Sequence, residues 1–327
     1  MSAYAVGIDL GGTNLKAALV HREDGIVEST RRPTDADKGP EHVLRSIAAL
    51  ASQLIETAPD SAVAGIGIGS PGAINWERTT VTRPPNLPGW DSINLRDALH
   101  THLGAHLGDL PVIVENDANV AGLGSAFYGA GRQFDSFIMV TLGTGVGGAI
   151  IYRNKIFRGS TGGAAEIGHM TIDYEGPYAN SGVSGAIEAY LGQTFLSAHA
   201  RDRLVNYPDS VLHELVDGKL DQLTPRLLYE AAQNDDPAAQ EILEWAGHKL
   251  GCVLGSAVNL LDIRTIIVGG GVSAAGDYIL APARETLPNF VVPGLRDHLQ
   301  IHREELGNEA SLLGAARLAF EGDDAHV

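Results

Sequence analysis

One stretch of the sequence occurs twice, and this duplication restricts the possible folds more than any other feature. VGIDLGGTNLKAALV, from Val6, aligns with MVTLGTGVGGAIIY, from Met139, when Asp9 is set against Thr141. Each copy places a glycine-rich centre between two apolar runs, which predicts two strands joined by a tight connection; the alternative is a chance likeness between two glycine-rich hairpins. A chain of 327 residues also suggests two domains, at about 150 residues for each domain. The duplication therefore predicts two domains built on one plan.

Two glycine clusters match a dinucleotide-binding pattern, but their context differs from that of the true motif. GTGVGG ends at Gly148 and GIGSPG ends at Gly72, and both fit G-x-G-x-x-G. That motif needs a helix directly after the glycines. Here AIIYRNKIF and AINWERTTV follow, and they predict strands and turns. A dinucleotide-dependent oxidoreductase is thus disfavoured, although the free N–H groups of a glycine-rich hairpin can still bind phosphate.

A third glycine cluster joins a strand to a helix. TIIVGGGVSAAGDYILAPARETL, from Thr265, passes through Gly269, Gly270 and Gly271 into a helical pattern. Such a turn lets a nucleotide base or ribose approach the main chain, and a tight turn without any ligand has the same pattern. Helical periodicity is also clear in EHVLRSIAALASQLIETA, in the stretch from residue 221 to residue 261, and in ASLLGAARLAFEG.

Composition excludes several classes of partner and site. The chain has 40 acidic and 23 basic residues, a formal charge of −17, so its surface would repel nucleic acid and acidic membranes. No apolar run reaches the roughly 18 residues of a membrane span, and MSAYAVGIDLGG lacks the features of a signal peptide, so we expect a cytoplasmic protein. The single cysteine, Cys252, permits no intrachain disulfide or cysteine-built zinc cluster and is expected in the core. His102 and His106 lack an acidic or cysteine partner nearby and indicate a solvated helix face.

Seven short motifs together resemble the ROK family of sugar kinases. They are DLGGTNLK (9 to 16), GIGSPGAI (67 to 74), RPPNLPGW (83 to 90), ENDANVAG (115 to 122), LGTGVGGAI (142 to 150), GAAEIGH (163 to 169) and VGGGVS (268 to 273). The motifs stand in the family's order and span nearly the whole chain. The resemblance implies an α/β fold of the actin-like ATPase type, with a duplicated ribonuclease H-like core and a cleft between two domains. It favours the kinases over the ROK repressors, because no winged-helix segment precedes Asp9.

The same resemblance implies where the domains divide. We expect an N-terminal α/β domain of residues 1–117, joined by a C-terminal helix of about residues 309–322. Residues 118–308 would form the C-terminal α/β domain.

Polar residues end one apolar strand abruptly. In PVIVENDANVAG, β-branched residues 112–114 are followed directly by Glu115, Asn116 and Asp117. These residues can cap the helix that VAGLGSAFYG predicts. The resemblance adds a chemical role, since Asp117 would accept the proton of the sugar hydroxyl during phosphoryl transfer and Asn116 would bind neighbouring hydroxyls. Both roles can hold together, whereas Glu115 has no assigned role.

The resemblance carries over further contacts for both substrates. For the hexose they are Gly72, Glu166, His169 and Glu188. For the donor they are Asp9, which would hold hydrated Mg²⁺, with Gly11, Gly12, Thr13, Lys16, Thr144, Gly145, Gly269, Gly270 and Gly271. Carboxylates and amides suit a sugar because they offer acceptors and donors to adjacent hydroxyls.

One motif departs from the family's pattern. ROK kinases often carry C-x-C-G-x-x-G-C-x-E, whose three cysteines bind structural zinc together with the histidine of the preceding GH motif. Here ANSGVSGAIE places Ala179, Ser181 and Ala186 at the cysteine positions. We therefore expect no zinc, a role for His169 in sugar binding alone, and packing by Tyr174, Pro177 and Tyr178 to hold the loop.

These observations lead to one predicted activity with open alternatives. The chain is expected to be an ATP- and Mg²⁺-dependent kinase for the 6-hydroxyl of a hexose, with glucose favoured, and to form a homodimer. Fructose, mannose or N-acetylmannosamine kinases share the motifs, and polyphosphate could occupy the same loops as ATP. A sugar-sensing regulator without turnover is the alternative from another class. The presence of Asp117 and of all three glycine-rich loops argues against it.

Overall fold

A computed structural model describes residues 3–59, 63–103 and 110–327 of the chain, without the side chains of residues 323 and 324. His106 lies outside the described residues, so its place on a solvated helix face stays a prediction. The chain forms two compact units, each described here by itself. Unit 1 comprises Met1–Ser136, Ala149–Ala165 and Asn308–Val327, and unit 2 comprises Phe137–Gly148 and Glu166–Gly307.

Strands and helices alternate along much of the chain. The strands are β1 (Tyr4–Leu10), β2 (Asn14–His21), β3 (Gly25–Pro33), β4 (Val63–Ser70), β5 (Ala73–Ile74), β6 (Thr80–Thr82), β7 (Ser92–Asn94), β8 (Val112–Asn116), β9 (Phe137–Leu142), β10 (Val146–Tyr152), β11 (Lys155–Ile156), β12 (Thr265–Gly269) and β13 (Gln300–Arg303). The α-helices are α1 (Pro40–Thr57), α2 (Leu95–Leu103), α3 (Asp117–Tyr128), α4 (Glu188–Leu191), α5 (Gln193–Arg203), α6 (Leu212–Leu215), α7 (Pro225–Gln233), α8 (Pro237–Leu261), α9 (Asp277–Thr286) and α10 (Glu309–Glu321).

Two five-stranded sheets share one strand order. The first is β3-β2-β1-β4-β8 and the second is β11-β10-β9-β12-β13. In the first sheet, β1 is antiparallel to β2 and parallel to β4, and in the second β12 is parallel to both β9 and β13. The alignment of Asp9 with Thr141 sets the last residue of β1, Leu10, against the last residue of β9, Leu142. It also sets the first residues of β2 and β10 against each other, so the predicted duplication and fold class are confirmed.

Glycines in the central strands let the C-terminal helix lie close to the sheet of unit 1. A Cβ at Gly7 would press on the main-chain carbonyl of Leu312 in α10, and one at Gly67 would press on that of Ala315. Apolar residues of α1, among them Ile47, form part of the buried core with β1 and β4. In GIGIGS, Gly67 thus makes room for α10, and Gly69 makes room for Val120 of α3. These glycines lie in a strand and allow close packing of helices against it.

The helix that begins at Asp117 belongs to unit 1, and so does the segment 149–165. A Cβ at Gly124 of α3 would press on the carbonyl of Ala310 in α10, which shows how closely the two helices pack. This division differs from the predicted boundary after residue 117, because α3 buries its small residues against α10 and thus stays with the first sheet. The limits of independently folding domains stay a prediction.

Three smaller observations concern the rest of the chain. Strands β5, β6 and β7 form a three-stranded antiparallel sheet in unit 1. Cys252 lies half-buried on α8, where burial raises the pKa of its thiol. Across the part of the chain that the structure describes, no helix is both long enough and apolar enough to span a membrane.

Candidate active site

The turn between β8 and α3 combines a helix cap with an acidic group. The side chain of Asn116 accepts hydrogen bonds from the N–H groups of Ala118 at 2.9 Å and Asn119 at 3.3 Å, so the capping role holds. Asp117 is the first residue of α3, and its Oδ1 also accepts the N–H of Ala118 at 2.9 Å. Both Asn116 and Asp117 remain half-exposed. A carboxylate at a helix N-terminus is stabilised by the helix dipole.

Asp9 lies at the same edge of the sheet as this turn. Asp9 on β1 is paired with Gly69 on β4, and Gly69 is paired with Glu115 on β8. The carboxyl ends of parallel strands are the usual place for a ligand in an open α/β sheet. The Nζ of Lys16 lies 3.0 Å from Oδ2 of Asp9. The predicted phosphate-binding lysine is thus held by the predicted metal-binding carboxylate.

The connection between β1 and β2 is tightly bent and packed against the RPPNLPGW segment. The N–H of Gly11 donates to the carbonyl of Asn14 at 3.1 Å. A Cβ at Gly12 would meet the Cβ of Asn86 at 2.7 Å. Gly72 has a φ of 93°, and a Cβ there would meet the Cα of Pro84 at 2.7 Å. Gly12 and Gly72 are thus required because the segment RPPNLPGW passes close to both of them. Thr13, beside Gly12, is exposed.

In unit 2 a predicted sugar contact touches a predicted donor loop. The Oε2 atom of Glu188, the first residue of α4, accepts the N–H of Val146 at 3.0 Å. A Cβ at Gly145 would overlap this carboxylate, so glycine is needed for the contact. Thr144, beside it, is exposed. The structure thereby brings together Gly145 and Glu188, which the sequence placed in different subsites.

Glu166 and His169 lie close together in unit 2. The Nε2 atom of His169 is 3.6 Å from Oε2 of Glu166, and its Nδ1 atom is 3.2 Å from Oγ of Ser181. The two hydrogen-bonding atoms of the ring thus face different partners. Ser181, which stands at a cysteine position of the family motif, orients the ring through a hydrogen bond.

The loop from residue 170 to residue 187 is not held by aromatic packing, so that prediction is wrong. Tyr174 is 80% exposed and Tyr178 is 70% exposed, and Pro177 is exposed as well. Ala179 and Ala186, at two cysteine positions, are buried instead. Main-chain hydrogen bonds close the loop, with N–H groups of residues 172, 179, 185 and 187 donating within it. The loop is therefore held by main-chain hydrogen bonds and by the buried methyl groups of Ala179 and Ala186, and not by aromatic side chains.

A cavity of about 310 Å³ opens in unit 2 beside two glycine-rich loops. Its lining includes Gly143 and Gly271 together with Gln193, Arg226 and Tyr229. The last three were missed by sequence reasoning, because polar and aromatic residues on an amphipathic helix predict a surface face. Gly270, which precedes the lining residue Gly271, has a φ of 84° that favours glycine.

Glu115, which the sequence left without a role, is fully buried against two arginines. Its Oε2 atom lies 3.1 Å from Nε of Arg78 and 2.8 Å from Nε of Arg158. No sequence pattern marks either arginine as buried. Among the described residues, no three acidic, histidine or cysteine side chains are grouped to hold a metal ion.

Comparison with known proteins assigns the family. The family model described as the ROK family matches residues 5–321. The chain belongs to the ROK family. It is 35% identical to the glucokinase of Streptomyces coelicolor over 97% of this chain and 98% of that protein. It is 31% identical to the glucokinase of Thermotoga maritima over 97% of both chains.

A solved structure of the same family is similar throughout. The ROK family glucokinase of Streptomyces griseus, in complex with glucose and AMPPNP, superposes with a TM-score of 0.83 at 34% identity. The match covers 98% of this chain and all of that chain. This similarity agrees with the actin-like fold and the strand order described above.

Proposed function

We infer that this ROK protein is a glucokinase that transfers the γ-phosphoryl group of ATP to the 6-hydroxyl of glucose. The observation that carries the inference is the half-exposed Asp117 carboxylate on the turn capped by Asn116, in a chain matching glucokinases over nearly its whole length. The glucose and AMPPNP bound by the similar Streptomyces griseus enzyme support both substrates.

Asp117 would act as the general base. Phosphoryl transfer requires an alcohol in line with the γ-phosphate, neutralisation of charge and an acceptor for the hydroxyl proton. In this proposal the carboxylate of Asp117 takes that proton as the new O–P bond forms, and ADP leaves. Asn116 would fix an adjacent hydroxyl through its amide, while its carbonyl oxygen continues to cap α3.

The remaining predicted contacts divide between sugar and donor. We assign Glu166, His169 and Glu188 to the hexose hydroxyls, because their oxygen and nitrogen atoms lie on the same unit and partly reach solvent. The glycine-rich loops at Gly11, Thr144 and Gly270 would take the phosphates through their N–H groups, and the cavity beside Gly143 and Gly271 would take the nucleoside.

Mg²⁺ would supply the positive charge that the transferred phosphoryl group needs. Asp9 fits this role, because Mg²⁺ commonly keeps several waters and uses one or two carboxylates together with substrate phosphates. The half-buried carboxylate of Asp9 is such a group, and Lys16 at 3.0 Å limits its flexibility. We also propose a cytoplasmic homodimer that acts on small molecules and not on nucleic acid, in accord with the charge of −17.

A coupled assay tests the proposal. Glucose, fructose, mannose, N-acetylmannosamine and galactose are each offered with ATP and with polyphosphate as donor. We expect the highest kcat/KM for glucose with ATP. Galactose should react far less efficiently, since each polar group left unpaired by the epimer costs about 1–3 kcal/mol. Equal efficiencies for glucose and galactose would exclude glucose specificity, and glucose binding without turnover would support the sugar-sensing alternative.

A further inference from the structure

Three charged side chains, Glu115, Arg78 and Arg158, are buried next to the turn that carries Asp117. The side chains of Glu115 and Arg158 are 0% exposed, and that of Arg78 is 2% exposed. Ionised groups lose their hydration on burial, so such a cluster is retained only where its partners are held in good geometry. Nε of Arg78 donates a hydrogen bond to Oε2 of Glu115, and Nε of Arg158 forms an ion pair with the same oxygen at 2.8 Å.

The two arginines are anchored independently of Glu115. Arg158 donates from Nη1 to the carbonyl of Trp76 at 2.8 Å and from Nη2 to that of Asn75 at 2.9 Å. Arg78 donates from Nη1 to the carbonyl of Gly322 at 3.3 Å. Both guanidinium groups therefore belong to a frame built by the β5–β6 turn and the end of the chain.

Arg78 is also tied to β8 through its main chain. Its carbonyl accepts the N–H of Val114 at 3.0 Å, one residue before Glu115. Arg78 has a φ of 56°, in the left-handed region, which costs an arginine conformational free energy. Side chain and main chain of Arg78 thus hold the same strand end.

The other oxygen of Glu115 holds the turn that carries Asp117. Oε1 accepts the N–H of Asn116 at 2.8 Å and the Nδ2–H of Asn119 at 3.2 Å. Asn116 caps α3, Asp117 begins it, and Asn119 lies in its first turn. One carboxylate consequently links the arginine frame to the residues on both sides of Asp117.

We propose that Glu115 is a positioning residue for Asp117, which fixes the direction of its carboxylate by clamping the Asn116–Asn119 turn onto the frame of Arg78 and Arg158. The inference rests on the proposed function of Asp117 as general base. A base must meet its proton at hydrogen-bond distance, and a shift of about 1 Å can cost a hundredfold in rate. Glu115 therefore affects kcat through the position of Asp117, without contacting the substrate itself.

Glu115→Gln tests this role, because it preserves shape and an acceptor oxygen but removes the charge that both guanidinium groups face. We expect kcat to fall at least tenfold, with a smaller change in the KM for glucose. In an Asp117→Ala background the same substitution should cause no further loss of residual turnover, since Glu115 acts through Asp117. Wild-type kcat in Glu115→Gln, or an equal further loss in the double variant, would overturn the proposal.

A matched control separates positioning from lost stability. Asp236, another buried carboxylate, accepts the N–H groups of Ala239 and Val211 at 2.9 Å in unit 2. Asp236→Ala should lower Tm yet leave kcat unchanged at a temperature where it is folded. If it lowers kcat as much as Glu115→Gln does, the effect of Glu115 is one of stability alone and the proposal fails.

A second variant decides the matter if Glu115→Gln does not fold. Asn119→Leu retains all three charges and the shape of the side chain, and removes only the Nδ2–H bond to Glu115. Its kcat should fall about threefold at an unchanged glucose KM, and an unchanged kcat would contradict the clamp. Wild-type protein that phosphorylates no hexose would instead remove the proposed function, an outcome that is independent of these comparisons.

Discussion

The two sheets share a strand order but carry different chemistry at equivalent strand ends. Asp9 is the last but one residue of the first strand in the unit 1 sheet and binds Lys16 of the next strand. The equivalent position in unit 2 is Thr141. Unit 1 thus places a charged side chain where unit 2 places a neutral one. A duplicated scaffold can therefore carry different chemistry in its two copies, and the proposed base and the proposed metal ligand both lie in unit 1.

The fifth strands show what the copies keep in common. Glu115 is paired with Gly69 in unit 1, and Glu304 lies beside Gly269 in unit 2, with its N–H donated to the carbonyl of Val268. Both glutamates are buried and accept N–H groups from the following residues. After β8 the helix begins at once, at Asp117, whereas after β13 residues 304–308 come before α10 begins at Glu309. The glutamate belongs to the shared scaffold, and the chemistry depends on the residues after it.

The largest expected effect follows from removing that acid. Asp117→Ala should lower kcat by roughly a hundredfold or more, the usual contribution of a general base, while glucose affinity falls much less. The matched variant in unit 2 is Glu305→Ala, an exposed acid after β13, and should leave kcat within about twofold. Kinetics and glucose binding of both variants give the test. Near-normal turnover of Asp117→Ala would place the base elsewhere and remove the contrast between the copies.

A smaller effect is expected at the first strands. Asp9→Asn should lower kcat roughly tenfold, the factor caused by about 1.4 kcal/mol of lost transition-state stabilisation, and should raise the Mg²⁺ concentration needed for half-maximal rate. Thr141→Val, at the equivalent position, should alter neither quantity by more than about twofold. Magnesium titrations of the two variants measure this. Equal Mg²⁺ dependence in Asp9→Asn and wild type would contradict the metal role.

The third contrast lies between neighbouring glycines in unit 2. A Cβ at Gly270 would press on the carbonyl of Leu142, and its φ of 84° disfavours other residues, so Gly270→Ala should cost about 1–3 kcal/mol of stability. A Cβ at Gly271 would meet nothing within 4 Å, so Gly271→Ala should keep its Tm. If a nucleotide lies against Gly271, the KM for ATP should rise while that for glucose does not. Thermal unfolding with both KM values separates strain from ligand contact.

The sequence predicts those features of the fold and of the candidate site that short sequence patterns determine. The duplication, the strand-end position of Asp9 and the cap at Asn116 all follow from local patterns. The partners of Glu115 do not, because Arg78 and Arg158 come from distant segments and arginines are usually exposed. The close packing of α3 against α10 does not follow from local patterns either, since it depends on glycine contacts between helices that are far apart in the sequence.

The predicted aromatic packing of the loop after His169 was wrong because residues expected to be buried are exposed. Aromatic residues were expected to be buried, but Tyr174 and Tyr178 point to solvent, and alanines with main-chain hydrogen bonds close the loop. Tyrosine side chains are often buried, but here main-chain hydrogen bonds within residues 170–187 close the loop without them.

The smallest expected effect concerns zinc at that loop in unit 2. A structural zinc site needs four ligands, commonly cysteine thiolates with histidine. Here His169 faces the Ser181 hydroxyl at 3.2 Å, and buried Ala179 and Ala186 occupy two further ligand positions. A neutral hydroxyl is a far weaker zinc ligand than a thiolate, and a methyl group is none. We therefore expect elemental analysis to find no stoichiometric zinc.

Chelation should then separate the loop of unit 2 from the metal chemistry expected at Asp9. Because a bound structural metal contributes its binding free energy to folding, a zinc-selective chelator should leave Tm and kcat unchanged. EDTA should abolish turnover by removing Mg²⁺, and added Mg²⁺ should restore it in full. About one tightly held zinc per chain, or a Tm lowered by the selective chelator, would mean that the ANSGVSGAIE segment binds metal. Unit 2 would then carry a metal site of its own, and the division of chemistry between the two copies would not hold.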